Sequence, residues 1–419
     1  MENYESFISI LKEELVPAMG CTEPIALSYA GSIAANELGE AVTKLIIRCS
    51  GNIIKNVKSV KVPNTGGLVG IEAAVVAGIV SAKPKLKMEV ISELNDEDRK
   101  RIREILNKEI CTVESLDTKI PLHILIEAFS DNHSVSVEIT HEHTHVANVV
   151  KDGVVVMEDG VTFSKAGLTD RSFLTVKKIK EFADTCNLDD VKDLIERQIR
   201  YNMAIAEEGL TGKYGVGIGK AILKENHSVE SKMVAYASSA SEARMEGCAL
   251  PVVTNSGSGN QGITSSVPII VYCEENKVDT EKMMRALVFS NLMTIHQKTG
   301  IGRLSCFCGA ICAATSAGSA ITYLKGGSLE AIENTVRNNY ASVSGIICDG
   351  AKASCAFKIY SALKSALLSS NLALNNLSYS NGAGILKKNA DETIRSIGIL
   401  GSQGMKETDH VVLSIMLDE

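Results

Sequence analysis

The chain has 419 residues, a net charge of -7, 45% hydrophobic residues and 22% charged residues. This composition is typical of a soluble globular protein and excludes a disordered or fibrous chain. Acidic and basic residues are interspersed without a polybasic run, which argues against nucleic acid or an anionic membrane as a partner. At this length we expect two packed domains rather than one.

The first residues, MENYESFISILKEELVP, lack the basic and continuously apolar segments of an export signal. The longest apolar run, residues 67–80, contains Glu72 and is too short to cross a bilayer. We therefore expect a cytoplasmic protein that does not span a membrane. Its 11 cysteines should be reduced there, which makes them buried thiols, reactive thiols or metal ligands.

Helical periodicity predicts two helices near the N-terminus, at 4–15 and 24–38. The segment Gly20-Cys21-Thr22-Glu23-Pro24 lies between them. Thr22 is the predicted N-cap of the second helix, and Gly39 is its stop signal. Cys21 would then lie at a helix start, where unpaired backbone N–H groups lower the pKa of a thiol.

From residue 42 to 156 the pattern alternates between strand and helix. Helices are predicted at 68–80 and 97–107, and a hairpin turn at 151–153. The predicted strands are 42–48, 86–91, 122–129, 135–140, 144–150 and 154–157.

From residue 169 onward the helical period dominates. The predicted helices are 169–186, 189–208, 228–247, 279–298, 303–324, 328–339, 350–370 and 389–418. The sequence thus predicts an α+β fold, in which a mixed α/β region precedes a largely helical domain. The predicted divisions are 1–40, two helices that deliver Cys21 to the site, then 41–165 and 166–419.

Cys306, Cys348 and Cys355 are the most informative cysteines, because each lies in a glycine-containing segment at the edge of a predicted helix. An iron-sulfur cluster needs thiolates that converge on one pocket, with backbone donors or cations that offset their charge. The spacing alone is a weak signal, since buried cysteines in a tight helical core would look the same.

Other polar groups suggest substrate contacts. Residues 254–262 form a predicted loop rich in hydroxyls and amides that could hold a carboxylate. The candidate contacts in this loop are Asn255, Ser256, Gly257, Asn260 and Gln261. His141, His143 and His145 alternate on a probable strand, where a zinc site is a weaker interpretation than a solvated face. Lys352 could offset cluster charge or contact a substrate carboxylate.

Four motifs, in order, resemble the L-cysteine desulfidase family, which is related to the alpha chain of iron-sulfur L-serine dehydratases. They are Gly20-Cys21-Thr22-Glu23-Pro24, Ser256-Gly257-Ser258-Gly259-Asn260-Gln261-Gly262, the Cys306 segment, and Cys348-Asp349-Gly350-Ala351-Lys352. The resemblance extends over nearly the whole chain.

The resemblance implies a [4Fe-4S] cluster held by Cys306, Cys348 and Cys355, with one iron open to substrate, and no pyridoxal phosphate. Cys308 or Cys312 could replace Cys306. It also implies that Cys21 removes a substrate proton, although a role as cluster ligand stays open, and that His143 contacts the substrate.

The expected function is that of a lyase that cleaves L-cysteine to hydrogen sulfide, ammonia and pyruvate by α,β-elimination. The alternatives are L-serine dehydration by the same mechanism and a non-catalytic iron-sulfur sensor. The expected partners are a small 2-amino acid and identical subunits, with neither nucleic acid nor membrane.

Overall fold

The computed structural model describes residues 3–158 and 168–417 and contains two hydrophobic cores. The sheet core lies between a β-sheet and the helices that cover it. The helical core is formed almost wholly by helices of the C-terminal part. The predicted mixed α/β region followed by a largely helical region is therefore confirmed. The predicted division between residues 165 and 166 lies outside the described residues.

The sheet core lies beneath a six-stranded sheet in the order β3-β2-β4-β5-β6-β7, in which only β2 and β3 run parallel. Alternate residues of β4 and β5 are buried, because one face of the pleat contacts the core. The described strands are β1 Pro17–Met19, β2 Lys44–Cys49, β3 Cys111–Ser115, β4 His123–Phe129, β5 Ser134–Thr140, β6 Val146–Lys151, β7 Val154–Glu158 and β8 Pro251–Val253.

Helices make up most of the remaining described chain. They are α1 Tyr4–Glu14, α2 Thr22–Leu38, α3 Gly51–Val57, α4 Ile71–Ser81, α5 Asp96–Leu106, α6 Val176–Thr185, α7 Lys192–Leu210, α8 Ile218–Glu225, α9 Val229–Met245, α10 Gly259–Glu275, α11 Thr280–Thr299, α12 Gly309–Leu324, α13 Leu329–Val343, α14 Cys355–Leu374, α15 Ala390–Ile399 and α16 Lys406–Leu417. Among these helices, none combines the length and the apolarity that crossing a bilayer requires.

The two N-terminal helices belong to different cores. Phe7 of α1 stacks on Phe182 in the helical core, with the ring centroids 4.5 Å apart. Helix α2 packs on β4 and β5 in the sheet core. Strand β1 pairs with β8 and carries the chain from one core to the other. As a result, Cys21 lies where the two cores meet.

Helices α2 and α4 approach closely because small residues face each other. A Cβ atom at Gly78 would overlap the backbone carbonyl of Ser28, so this contact accepts only glycine. We expect Gly78→Ala to lower the free energy of unfolding by about 1–3 kcal/mol through overpacking. Chemical denaturation measures the loss.

Gly345→Ala is the matched control, since a Cβ at Gly345 would meet no atom within 4 Å. An equal effect of the two substitutions, or a gain in stability for Gly78→Ala, would show that α2 and α4 can separate without cost.

Three local predictions are wrong. The predicted strand 86–91 lies mostly in a 3-10 segment, Pro84–Glu89, because Pro84 starts a helical turn; Lys87, with a positive φ, puts a kink into this segment and is not extended either. Helix α10 occupies part of the predicted loop 254–262; it is buried on nearly all sides and contains Pro268, so it has no amphipathic period. The predicted N-cap of α2 is displaced by one residue, from Thr22 to Cys21.

Candidate active site

The start of α2 carries a compact polar group of four residues. The Cys21 thiol donates a hydrogen bond to Glu23 Oε2 at 3.0 Å, and the Thr22 hydroxyl lies at the same distance from that oxygen. Asn56 of α3 donates to the other oxygen, Glu23 Oε1, at 3.2 Å. All four side chains are buried, so the carboxylate is held by donors from two separate helices.

The pKa of the Cys21 thiol is shifted upward, whereas the sequence predicted a downward shift. Cys21 is only 4% exposed, and burial together with the neighbouring Glu23 carboxylate raises its pKa well above the usual value. The predicted lowering by the helix start is therefore wrong for this arrangement. The Glu23 N–H and the charge of Arg244 lower the pKa, but burial and the Glu23 carboxylate outweigh them.

Glu23 has the opposite behaviour. Burial alone would raise its pKa, but interaction with His143 and the hydrogen bond from Cys21 outweigh burial and bring the pKa to about 2. We call the four residues Cys21, Thr22, Glu23 and Asn56 the Cys21 corner. Near neutral pH this corner holds a buried carboxylate beside a protonated thiol.

This carboxylate makes folding stability depend on pH. Because the folded pKa of Glu23 is about 2, below its usual 4.5, its stabilising contribution is present above pH 4.5 and is lost as the pH falls through 2. Near neutral pH we expect the free energy of unfolding of wild type to exceed that of Glu23→Gln by about 3 kcal/mol at most. This difference should shrink between pH 4.5 and 2. Urea unfolding of the iron-free protein over this range measures it, and a difference independent of pH would contradict the assignment.

The three alternating histidines do not share a strand face. They lie in the connection between β5 and β6, so the predicted alternation is wrong. Within residues 3–158 and 168–417, no group of three or more His, Cys, Asp or Glu side chains is placed to hold a single metal ion. His143 is buried, and its Nε2 atom lies 4.0 Å from Glu23 Oε1 without a hydrogen-bond partner. It therefore belongs to the Cys21 corner.

A tight turn brings the predicted substrate loop to the same corner. Asn255 and Ser258 exchange backbone hydrogen bonds, and Ser256 and Gly257 between them both have positive φ, as in a type I′ turn. The Gly257 carbonyl accepts a hydrogen bond from the Thr22 hydroxyl at 3.0 Å. A Cβ at Gly257 would lie 2.8 Å from Arg303 Nη1 and 3.5 Å from His143 Cε1, so the turn fits only with glycine there.

The amides of this segment differ in their surroundings. Asn255 donates to Asn291, and Asn260 accepts from Arg244, so both amides are engaged within the protein. Gln261 is buried, and its Oε1 has no hydrogen-bond partner. Its side chain packs against Gly309, the residue that follows Cys308. The segment thus touches the Cys21 corner at one end and a cysteine segment at the other.

The cysteine segments meet in a short antiparallel bridge between Phe307 and Ile347. The Cys348 N–H donates to the Cys306 carbonyl at 2.6 Å, which places these two residues opposite each other. Cys308 also donates its N–H to the Ile346 carbonyl, at 3.2 Å, so the bridge holds the two cysteine segments side by side. Cys355 begins α14, and its thiol lies 3.6 Å from the Gly350 carbonyl.

Electrostatics also group these thiols. Burial raises the pKa of Cys306, Cys308 and Cys355, and in each case the charge of Cys348 raises it further. For Cys308 the pKa reaches about 12, with Cys355 as a further contributor. Cys308 thus interacts electrostatically with Cys348 and Cys355, the other two proposed ligands, which supports the open alternative in which it replaces Cys306.

The donor set fits an iron-sulfur cluster. A cubane binds each cysteine at a different iron, so its ligands stand farther apart than ligands that share one ion. Basic residues surround the thiols and would offset the cluster charge. Lys358 pairs with Asp349, and Lys352 donates to the Asp349 carbonyl at 3.0 Å, so both ammonium groups are held at the segment.

Helix α3 provides a second connection. Its Asn56 binds Glu23, and the preceding residue, Lys55, pairs with Asp409 and lowers the pKa of Cys306 against the effect of burial. The backbone of Gly350 lies against the Lys55 carbonyl. One turn of helix therefore links the Cys21 corner to both cysteine segments.

A cavity of about 1490 Å³ opens beside these groups. Cys306 and Ser256 line it, together with Lys298 and Arg303. Its wall also contains Glu14, which is 1% exposed and pairs with Arg303 and Arg171. This cavity is large enough for a small amino acid with bound water.

Several of these groups were not predicted from the sequence, namely Glu14, Glu23, Asn56, Lys298 and Arg303. Glu23 and Arg303 stand within the Cys21 and Cys306 motifs without an assigned role, and no spacing signal distinguishes the others from ordinary surface or core polar residues. The predicted contacts of Asn255, Ser256, Gly257, Asn260, Gln261, His143 and Lys352 with a substrate stay predictions.

Comparison with known proteins gives consistent matches. The family described as serine dehydratase alpha chain matches residues 85–414, which include the cysteine segments but begin after Cys21. The chain is 45% identical to a UPF0597 protein of Treponema denticola over 99% of its own length and 98% of the relative. It is 46% identical to a UPF0597 protein of Desulfitobacterium hafniense, over 99% and 97% of the two chains. A UPF0597 protein of Fusobacterium nucleatum is 45% identical over 98% of each.

Proposed function

The chain belongs to the serine dehydratase alpha chain family, and from that premise we propose that it is an iron-sulfur lyase that eliminates the β-substituent of a small 2-amino acid. L-Cysteine is the proposed substrate, because the four motifs resemble those of L-cysteine desulfidases. L-Cysteine and water would give hydrogen sulfide, ammonia and pyruvate.

One observation carries this proposal: the segment 255–261 contacts both the residues around Cys21 and the segment that contains Cys308. Gly257 accepts from Thr22 beside Cys21, while Gln261, four residues later, packs on Gly309 beside Cys308. Elimination needs a group that takes the α-proton and a group that takes the leaving substituent, on opposite sides of one small molecule. Thr22 links this segment to Cys21, and Ser256 of the turn and Cys306 both line the cavity, which supports the proposal that the substrate binds between the two groups.

The cysteine segments would hold a [4Fe-4S] cluster through Cys348, Cys355 and either Cys306 or Cys308. When bound, a cluster with one iron free of cysteine would supply a Lewis acid for the departing sulfur. Burial keeps these thiols protonated in the absence of metal, but a bound metal ion replaces the proton on the sulfur and stabilises the thiolate.

Cys21 is the proposed proton acceptor. Its raised pKa means that the thiol must lose its proton to solvent before it can accept one from the substrate. The Glu23 carboxylate, with a pKa of about 2, does not take that proton; it orients the thiol through the 3.0 Å hydrogen bond. His143, 4.0 Å from the other carboxylate oxygen, would balance the negative charge of Glu23. A sensor that only binds a ligand would need no such buried thiol and carboxylate pair.

L-Serine dehydration is the second candidate, and the family match favours it specifically, since the family is described by serine dehydratase. A hydroxyl and a thiol differ little in size, so the same cavity would accept either amino acid. The two candidates share every residue role above and differ only in the leaving group.

Anaerobic purification followed by product assays tests the proposal. We expect a brown protein with about four irons per chain that releases sulfide and pyruvate from L-cysteine, loses activity in air and ignores added pyridoxal phosphate. Faster release of pyruvate from L-serine would favour the second candidate. Activity that needs pyridoxal phosphate and survives iron removal would reject both, and iron without turnover on either amino acid would favour a sensor.

A further inference from the structure

Lys298 is a buried cation in the cavity wall. It is 4% exposed and lies in the last turn of α11. Within residues 3–158 and 168–417, its ammonium makes no hydrogen bond or ion pair with the protein, and the side chain lines the cavity. A buried ammonium without a partner is costly, because desolvation is not repaid by an attractive charge. Its position therefore calls for an anion that binds in the cavity.

The other cations of the wall differ from Lys298. Arg303 and Arg171 both pair with Glu14, and Lys55 pairs with Asp409. The remaining lysines of the wall, Lys119 and Lys406, are exposed to solvent and lose little by standing alone. Lys298 is thus the buried lysine of this wall that still has a free positive charge among the described residues.

The size and position of the cavity indicate the anion. Cys306 and Ser256 share the wall with Lys298, so an anion at Lys298 would lie beside the cysteine segments and the turn at 255–258. An ammonium recognises a carboxylate as a compact point charge. Lys352, the lysine that the sequence favoured for this role, already donates to the Asp349 carbonyl.

We propose that Lys298 binds the α-carboxylate of the amino acid substrate in this cavity. The inference rests on the proposed function for the identity of the ligand, but the carboxylate subsite itself requires only a small carboxylic acid. A competing role for Lys298 is to offset the charge of the cysteines, since Cys308, Cys312 and Cys348 are close enough to affect its protonation.

The test compares anaerobic, iron-loaded wild type with Lys298→Met and the control Lys119→Met. Pyruvate serves as the probe, because it carries the carboxylate of the expected product and does not react, and calorimetry measures its dissociation constant. We expect Lys298→Met to keep the iron and the visible absorbance while it binds pyruvate at least about tenfold more weakly. Lys119→Met should bind pyruvate as wild type does. If Lys298→Met does not fold, Lys298→Gln takes its place with the same expectations.

Kinetics add a second readout. Lys298→Met should raise the KM for L-cysteine more than it lowers kcat, and cysteamine, which lacks the carboxylate, should inhibit wild type and Lys298→Met equally. Unchanged pyruvate affinity in the Lys298 variant would overturn the inference. Loss of iron from that variant, but not from Lys119→Met, would also overturn it and would assign Lys298 to the cluster. If wild type shows no elimination but pyruvate binding still depends on Lys298, the carboxylate subsite stands and the proposed function falls.

Discussion

Cys348→Ala is expected to yield a colourless protein that contains almost no iron and shows no elimination activity. Cys348 lies opposite Cys306, and its charge raises the pKa of Cys306, Cys308 and Cys355. A thiolate at the centre of the donor set cannot be replaced by a methyl group, because each of the three cysteine-bound irons needs its own thiolate. Iron content and the visible spectrum of anaerobic protein measure the loss.

Alanine substitutions of the other cysteines decide whether Cys306 or Cys308 is the third ligand. Cys355→Ala should behave like Cys348→Ala, and one of Cys306→Ala and Cys308→Ala should lose iron while the other keeps it. The electrostatic interaction of Cys308 with Cys348 and Cys355 makes it a competitor of Cys306 for the third ligand position.

Cys49→Ala is the control, since this thiol is fully buried in the sheet core. Full iron in Cys348→Ala would eliminate the proposed cluster site. Iron loss in Cys49→Ala as well would mean that any buried cavity disturbs the protein.

Cys21→Ser is expected to keep the iron and the spectrum and to lose turnover by about a hundred- to ten-thousand-fold, the usual contribution of a general base. The serine hydroxyl can donate to Glu23 as the thiol does at 3.0 Å, so the corner should keep its structure. It will not lose that proton, because the pKa of an alcohol lies far above that of a thiol. The loss should appear in kcat more than in KM.

Three measurements separate the roles of Cys21. Thermal unfolding of Cys21→Ser should match wild type, and Cys111→Ser makes the same chemical change in a half-buried thiol of β3, outside the cavity wall. Loss of iron in Cys21→Ser would make Cys21 a cluster ligand. Unchanged turnover with intact iron would leave it a structural residue and transfer the role of base to another group of the corner, with His143 the first to test.

Local patterns explain which elements were predicted correctly. Strands β4 and β5 alternate buried and partly buried residues, and that alternation is visible in the sequence because it depends on neighbours two residues apart. Helix α10 was missed because it is buried on nearly all sides and shows no period. The strand predicted at 86–91 failed because an apolar alternation there coincides with a helical turn.

The sequence by itself determined the order of the two regions, the motifs and the cysteines that could carry the chemistry, since residue type and local period are properties of the chain. Only the tertiary structure decided their surroundings. Thr22 meets Gly257 across 235 residues, and Glu23 receives Asn56 from another helix. The high pKa of Cys21 and the unpaired charge of Lys298 likewise follow from burial and from the partners that folding supplies or withholds, and a linear sequence encodes neither as a recognisable pattern.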